Sequence, residues 1–298
     1  MIERLRQRWP KLEITIEQIR TTGDRVTDRP LSQIGGDGVF VVEIERALYE
    51  RRIDLAVHSL KDLPTAQPEG LRLVIVGSRE DARDVFVADG QAWPPQKTNP
   101  RIGTSSLRRA AQIRALWPQA QILPIRGNVD TRLRKLEMNE YDGIVLAAAG
   151  LHRLDLQERL AGRATYLPIE SMMPAPGQGV LALEMRNEPE LCELLFPLND
   201  PEVQAAATAE RMFMRRLGAG CYLPVAAYAE ITAETLTLLG LVISLDGQRQ
   251  VRVRQSIRWM ANSSIEAAGQ LGRALADQAL TEGAAEIIDA ISREGWPT

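Results

Sequence analysis

RIGTSSLRRAAQIRALWPQAQILPIRGNVDTRLRKLEMNEYDGIVLAA, residues 101–148, carries the clearest secondary-structure pattern in this chain. Short apolar runs in it have the length of strands, and the segments between them carry the apolar spacing of helices. Strands and helices that alternate at this pace are typical of a parallel sheet with helices packed on its faces. The predicted elements are strands at 101–103, 121–125 and 143–148 and helices at 106–116 and 128–138.

The residues before this stretch predict further strands and a helix. Segment 12–19 alternates apolar and polar side chains, which predicts a half-buried strand. A helical pattern covers 38–52, and the short apolar runs 53–58 and 71–76 predict two buried strands.

The residues after 148 have a different pattern, which predicts a small α+β domain at the end of the chain. PAPGQG, residues 174–179, is a cluster of helix and strand breakers. Asp246-Gly247 predicts the turn of a β-hairpin. The predicted elements are strands at 180–185, 225–231, 235–245 and 249–259 and helices at 200–218 and 264–291.

Composition excludes several classes of protein. The chain has 298 residues, 45% of them hydrophobic and 25% charged, as in a globular protein of two or three domains. No apolar run is long enough to cross a bilayer, and the N-terminus has no signal-peptide core. Two cysteines and two histidines argue against a disulfide framework or a structural metal site. We therefore expect a cytoplasmic protein with no metal and no membrane partner.

Charge is uneven along the chain although the net charge is only −3. Segment 101–135 holds seven arginines and one lysine against a single acid, Asp130. Nucleic acid is one possible target of such a segment. Trp117 is its only aromatic residue, however, so stacking on bases is poorly supported and we expect no nucleic-acid partner.

Two strand-to-helix turns in this segment combine residues that bind anions. GTSSLRR (103–109) and RGNVDTR (126–132) each offer capping side chains and arginines at a predicted helix N-terminus. Free backbone N–H groups there attract anions, and arginine can bind a carboxylate or phosphate through two hydrogen bonds. The alternative is that the turns are ordinary caps followed by surface arginines.

A third cluster follows the predicted strand at 53–58. In HSLKDLP (58–64), Lys61 and Asp62 lie together at the carboxyl end of that strand, where open α/β sheets bind ligands. A carboxylate beside a lysine stays ionised and can accept hydrogen bonds from a substrate. The plainer interpretation is a surface ion pair in a loop, with His58 a packed strand residue.

Cys221 lies between Gly218-Ala219-Gly220 and Pro224, in a loop of small residues between a helix and a strand. Two interpretations fit it equally well: a thiol that a large molecule can reach, or a small buried apolar residue at a turn. Cys192, inside a helical apolar pattern, is predicted to be a core residue.

Taken together, these motifs resemble the porphobilinogen deaminase family, also called hydroxymethylbilane synthases, which act in tetrapyrrole biosynthesis. Order and spacing agree as well as residue types, over nearly the whole chain. The matching segments are 35–40, 58–64, 103–109, 126–135, 147–154, 176–179 and 220–228.

The resemblance implies a fold and an oligomeric state. The fold class is α/β, with two lobes like those of type 2 periplasmic binding proteins, mixed sheets, and a small α+β C-terminal domain that attaches the cofactor. Lobe 1 would comprise 1–78 and 177–198, lobe 2 would be 79–176, and the third domain 199–298. The family also implies a monomer.

It implies an activity as well. A dipyrromethane cofactor, linked to Cys221 through a thioether, would prime the addition of four porphobilinogen units. Each addition loses ammonia, and the linear product, hydroxymethylbilane, is released on the way to haem and chlorophyll.

The site residues implied by the resemblance are these. Asp62 matches the catalytic aspartate, whose carboxylate would stabilise the azafulvenium cation left by ammonia and move protons. The cofactor would be held by Ser59, Lys61, Thr104, Ser106, Arg108, Arg109, Arg126, Arg132 and Arg153. The substrate would be bound by Arg126, Arg132, Arg153 and Gln178.

The chain departs from the family pattern in two places. Family members usually begin with a strand and the start of a helix ahead of the position of Met1, so we expect lobe 1 to lack its N-terminal strand. Gln33 and Asp37 stand where basic residues are common. A start site assigned too far downstream and a truncated, inactive homologue are both compatible with this, and the presence of every other motif favours the first. A competing function is a two-lobed anion-binding or sensor protein, which would need neither Cys221 nor Asp62.

Overall fold

The computed structural model describes residues 1–21, 41–88, 97–218 and 223–294. Cys221, Gln33, Asp37 and the motif at 35–40 therefore lie outside the described residues. The helices and strands, in chain order, are α1 (Ile2–Arg8), α2 (Val42–Tyr49), β1 (Leu55–Ser59), β2 (Leu71–Ile75), β3 (Asp84–Val87), β4 (Arg101–Gly103), α3 (Leu107–Leu116), β5 (Gln121–Leu123), α4 (Val129–Glu137), β6 (Gly143–Ala147), α5 (Ala148–Arg153), β7 (Ala164–Tyr166), β8 (Leu181–Arg186), α6 (Pro189–Leu195), α7 (Pro201–Arg216), β9 (Val225–Thr232), β10 (Thr235–Ile243), β11 (Gln250–Arg258), α8 (Ile265–Ala279) and α9 (Ala285–Glu294).

A five-stranded sheet is built around 101–148, in the order β5-β4-β6-β3-β7. Strand β4 is parallel to both β5 and β6, as the alternation of strands and helices predicts. Strands β3 and β7 add antiparallel neighbours, which makes the sheet mixed. Along β6, Ile144 and Leu146 enter one core cluster with Leu133 of α4, whereas Val145 enters another with Ile113 of α3. Both faces of the sheet are therefore covered by helices.

A smaller sheet, in the order β1-β8-β2, forms a second α/β unit. Both outer strands run antiparallel to β8, so the chain leaves this sheet after β2, builds the larger sheet, and returns through β8. The outgoing and returning segments touch where the Glu80 N–H donates to the Gly179 carbonyl at 3.1 Å. Gly179 has a φ of +87°, and a Cβ there would lie 2.3 Å from the Glu80 oxygen, so the contact requires glycine.

The predicted strand at 12–19 is wrong. Residues 12–20 form no ladder, because no strand of the described residues lies beside them to pair with their backbone. Leu12 and Ile14 pack instead against the cluster that includes Leu5 of α1, and Ile16 is 70% exposed. The alternation identified the apolar side, but a strand also needs a hydrogen-bonded neighbour.

The last third of the chain is an antiparallel sheet, in the order β11-β10-β9, packed against α7 and α8. The hairpin between β10 and β11 is confirmed, with Gly247 at a φ of +77°. The predicted single helix over 264–291 is divided by a π-helical turn, Leu280–Ala284, in which Gly283 has a φ of +106°. Earlier in the chain, Cys192 is only partly buried, against the cluster of α1 and β8.

A buried carboxylate ties this third unit to the segments that join the two sheets. Glu210 of α7 is fully buried and accepts hydrogen bonds from the Gly177 N–H at 2.6 Å and the Ala229 N–H at 2.7 Å. Its Oε1 also receives Arg79 Nη1 at 2.6 Å. Within the described ranges, no helix combines the length and apolar character needed to cross a bilayer.

Candidate active site

The turn after β1 presents the Lys61-Asp62 pair. A short 3₁₀ turn, Leu60–Asp62, follows the strand directly. Leu60 is buried, and its N–H donates to the Val180 carbonyl at 3.0 Å, which anchors the turn to the returning segment. Asp62 is exposed and Lys61 partly buried. The two side chains therefore project from a fixed backbone.

His58 has the structural role that the plainer interpretation gave it. It is buried, and its Nε2 lies 3.0 Å from Oε2 of Glu184 on β8. Successive strand residues point to opposite faces, so His58 does not share the face of Ser59, which ends β1 partly buried.

Lys61 is a lysine whose ionisation is strongly altered. Its Nζ donates to Gln178 Oε1 at 3.3 Å. Burial lowers the pKa of Lys61 to about 8; the charges of Asp62 and Asp84 oppose that fall, and two nearby arginines add to it. Lys61 therefore changes charge close to neutral pH, far below the pH at which an ordinary lysine does.

The two arginines of the first predicted turn are buried against a carboxylate that begins β3. Asp84 Oδ2 receives Arg108 Nη1 at 2.6 Å, and Oδ1 receives Arg109 Nη2 at 2.7 Å. Burial by itself would raise the pKa of Asp84, but the two guanidinium groups hold that pKa well below its usual range. The site arginines are thus held inside the protein, with 5% and 6% of their surface exposed.

The hydroxyl residues of the first turn organise its backbone. Ser106 caps α3 by accepting the Arg109 N–H at 3.4 Å, and the Thr104 hydroxyl accepts the Ser106 N–H at 3.2 Å. Ser105 donates to the Ile125 carbonyl at 2.8 Å and accepts the Ile125 N–H at 3.0 Å. This pair of bonds joins the first turn to the second.

The second turn adds two more guanidinium groups. Asn128 caps α4, and Arg132 Nε donates to the Gly127 carbonyl at 2.7 Å. Burial lowers the pKa of Arg132 to about 10; the charges of Arg109 and Arg126 act in the same direction and that of Asp62 opposes them. Burial also lowers the pKa of Arg126.

The structure therefore brings most of the predicted cations together with Asp62. The interactions of Arg132 place the ends of β1, β4 and β5 within electrostatic range of one another. Like charges held this close stabilise a bound anion and are stabilised by it. The arrangement can bind a molecule with several carboxylates and hold a carboxylate of its own, Asp62, beside it.

Arg153 lies apart from this cluster, whereas Gln178 lies beneath it. Arg153 is exposed at the end of α5, where its Nη2 donates to the Gly179 carbonyl at 2.8 Å and its charged neighbours are Glu80 and Arg4. Gln178 is fully buried behind Lys61.

Asp84 is the residue that sequence reasoning missed. It is fully buried and contacts two predicted site arginines. The available signal was an acid placed directly before the apolar run Val85–Val87, since an ionised carboxylate at the start of a buried strand needs cationic partners.

Comparison with known proteins shows the family of this chain. The family model described as "Porphobilinogen deaminase, dipyromethane cofactor binding domain" matches residues 1–193. A second, "Porphobilinogen deaminase, C-terminal domain", matches residues 204–281. This chain belongs to the porphobilinogen deaminase family. The predicted family and its dipyrromethane cofactor are thereby confirmed.

Individual members of the porphobilinogen deaminase family match over most of their length. The porphobilinogen deaminase of Syntrophobacter fumaroxidans is 44% identical, over 96% of this chain and 90% of the relative. That of Syntrophotalea carbinolica is 45% identical, over 95% and 87%. Among solved structures, the periplasmic VFT2 domain of Bordetella pertussis BvgS is 16% identical, covers 52% of this chain and 65% of its own, and has a TM-score of 0.34.

Proposed function

We propose that this protein is a transferase that joins four porphobilinogen units head to tail onto a dipyrromethane held on Cys221. Each addition releases ammonia, and the product is hydroxymethylbilane, a precursor in porphyrin biosynthesis for haem or chlorophyll. The observation that carries the proposal is the buried pair Arg108 and Arg109, which donate to Asp84 at 2.6 and 2.7 Å beside Lys61.

The residues present fit a cofactor that carries several carboxylates. Each pyrrole of a porphobilinogen-derived chain brings an acetate and a propionate, so the bound molecule is a polyanion. The cluster offers guanidinium groups for it, and Arg108 Nε is buried without a hydrogen-bond partner in the described part of the chain. When bound, the dipyrromethane supplies the pyrrole carbon to which the first substrate unit is joined. The residues that would hold it, besides Cys221, are Ser59, Lys61, Thr104, Ser106, Arg108, Arg109, Arg126, Arg132 and Arg153.

Asp62 is the proposed catalytic residue. Loss of ammonia leaves positive charge on the pyrrole of the incoming porphobilinogen, and a fixed carboxylate stabilises such charge as it develops. Asp62 is exposed on a rigid turn and can also receive a proton from a pyrrole N–H. Lys61, beside it, binds a substrate carboxylate while it is charged.

The proposed domain boundaries lie where the chain leaves the smaller sheet after β2 and where it returns to that sheet before β8. Lobe 1 comprises 1–78 and 177–198, lobe 2 is 79–176, and 199–298 carries the cofactor. Arg126, Arg132, Arg153 and Gln178 are the proposed substrate-binding residues; Gln178 acts from behind Lys61, which it contacts at 3.3 Å.

We also propose a cytoplasmic monomer that uses neither a metal nor a nucleic-acid or membrane partner. The low number of cysteines and the scarcity of aromatic residues near the arginines support this.

Intact-protein mass spectrometry tests the proposal. The purified protein should carry one adduct with the mass of a dipyrromethane, and Cys221→Ser should abolish both the adduct and the release of hydroxymethylbilane from porphobilinogen. Cys192→Ser is the matched control and should keep both. An unmodified, inactive wild type that still binds porphobilinogen would favour the sensor function instead.

A further inference from the structure

Asp84 is a buried carboxylate that accepts hydrogen bonds from three site residues. Arg108 Nη1 donates to Oδ2 at 2.6 Å, whereas Arg109 Nη2 and Gln178 Nε2 donate to Oδ1 at 2.7 and 2.9 Å. Each arginine also donates to a backbone carbonyl, Arg108 to Met173 at 2.7 Å and Arg109 to Val145 at 3.0 Å. Each guanidinium plane is therefore fixed by two acceptors, the Asp84 carboxylate and a backbone carbonyl.

Gln178 extends this network to Lys61. Its amide nitrogen donates to the Ala82 carbonyl at 2.7 Å and to Asp84 at 2.9 Å, and both of these groups can only accept. The amide oxygen must then point the other way, where it accepts from Lys61 Nζ at 3.3 Å. Asp84 and the Ala82 carbonyl together orient the glutamine, and the glutamine holds the ammonium group.

We propose that Asp84 is a positioning residue for the transfer reaction: it orients Arg108 and Arg109 directly, and Lys61 through Gln178, toward the carboxylates of the bound pyrrole chain. This inference rests on the proposed function. Without Asp84, two adjacent guanidinium groups would be buried with no counter-charge, and both would move toward solvent or other acceptors. Displacing such groups by about 1 Å can cost about 100-fold in rate.

Asp142 provides a matched control, because it is also a carboxylate that holds two cations. Its Oδ1 receives Lys97 Nζ at 2.8 Å, and Arg101 Nη2 donates to the same oxygen at 3.2 Å. It directly precedes β6 and so lies at the opposite end of that strand from the candidate site. Replacing it removes an ion-pair network without touching the site cations.

The experiment compares the holoenzymes of Asp84→Asn, Asp84→Glu and Asp142→Asn with the wild type. Porphobilinogen kinetics are measured from pH 6.5 to 10, together with the melting temperature. Among the described residues, the charged groups that act most on Lys61 are Asp62, Asp84 and the two site arginines. Asp84→Asn removes one of the two negative charges, so its alkaline loss of activity should begin at a lower pH than in the wild type, and kcat/KM at pH 7 should fall about 100-fold. Asp84→Glu keeps the charge and should keep the wild-type alkaline limb, with a smaller loss of kcat/KM.

A purely structural carboxylate would behave differently. Asp142→Asn should lower the melting temperature while kcat/KM and the alkaline limb stay at wild-type values. The inference is overturned if Asp84→Asn folds and keeps the wild-type kcat/KM and pH profile. If Asp84→Asn does not fold, Asp84→Glu decides, and full wild-type kinetics in that variant overturn the inference. Turnover by the wild type tests the proposed function without any variant. If the wild type does not turn over, the positioning role is still tested by the shift in melting temperature that porphobilinogen causes. That shift is compared between the wild type and Asp84→Glu.

Discussion

The titration of Lys61 gives the sharpest prediction about this site. With a pKa of about 8, Lys61 is charged at pH 7 and mostly neutral at pH 9. If the charged form binds a substrate carboxylate, kcat/KM at pH 9 should be about a tenth of its plateau value. The loss should follow a single ionisation with a midpoint close to pH 8.

Lys61→Arg is the variant that isolates this charge. An ordinary guanidinium group stays protonated to beyond pH 12, and even the buried Arg132 of this site keeps a pKa of about 10. The alkaline limb near pH 8 should therefore disappear in this variant, even if the larger side chain lowers the plateau. Only four lysines occur in the chain, and Lys97, which pairs with Asp142 away from the site, offers the same substitution as a control. Lys97→Arg should keep the limb near pH 8.

Stability should change with pH in the opposite direction to activity. The pKa of Lys61 is lowered in the folded state from its ordinary 10.5 to about 8, so the folded protein binds fewer protons between these values and the contribution of this group to stability rises with pH. Below pH 8 the charged Lys61 destabilises the folded state by the full amount, at most about 3 kcal/mol. Lys61→Met should therefore be more stable than wild type at pH 7, with the difference shrinking toward pH 10.5 in urea unfolding.

An alkaline limb near pH 8 that survives in the kinetics of Lys61→Arg would refute the reasoning.

Three further outcomes are expected. Asp62→Asn should lower kcat about 100- to 1,000-fold with KM nearly unchanged, because it removes charge stabilisation in the transition state; a parallel rise in KM would instead assign Asp62 to binding. Arg132→Met should raise the melting temperature of the cofactor-free protein, since burial and two neighbouring arginines disfavour its charge, while raising KM for porphobilinogen; a lower melting temperature would contradict this. Gly240→Ala should lower the free energy of unfolding by about 1–3 kcal/mol, because its Cβ would lie 2.4 Å from the Phe213 ring, whereas Gly150→Ala, with its nearest contact at 3.8 Å, should change it little.

Local pattern was enough to predict most of the elements that carry the site. The strands and helices of 101–148 form within two residues of their predicted ends, and the predicted turns 103–109 and 126–132 lead into α3 and α4. These elements are confirmed because apolar spacing, capping residues and breakers all act over a few neighbouring residues. The same kind of pattern failed at 12–19, where alternation was present but no strand among the described residues lay alongside.

The family motifs, the parallel core of the larger sheet and the arginines at two of its turns can all be recognised from the sequence alone. The contacts of those arginines are visible only in the folded protein. Asp84 is 24 residues from Arg108 and 94 from Gln178, and it meets them because β3 enters the sheet next to β6 and the returning segment passes its end. Periodicity in a sequence reports burial, which is local. The partner of a buried charge depends on which distant segments the fold brings together, and no local pattern records that.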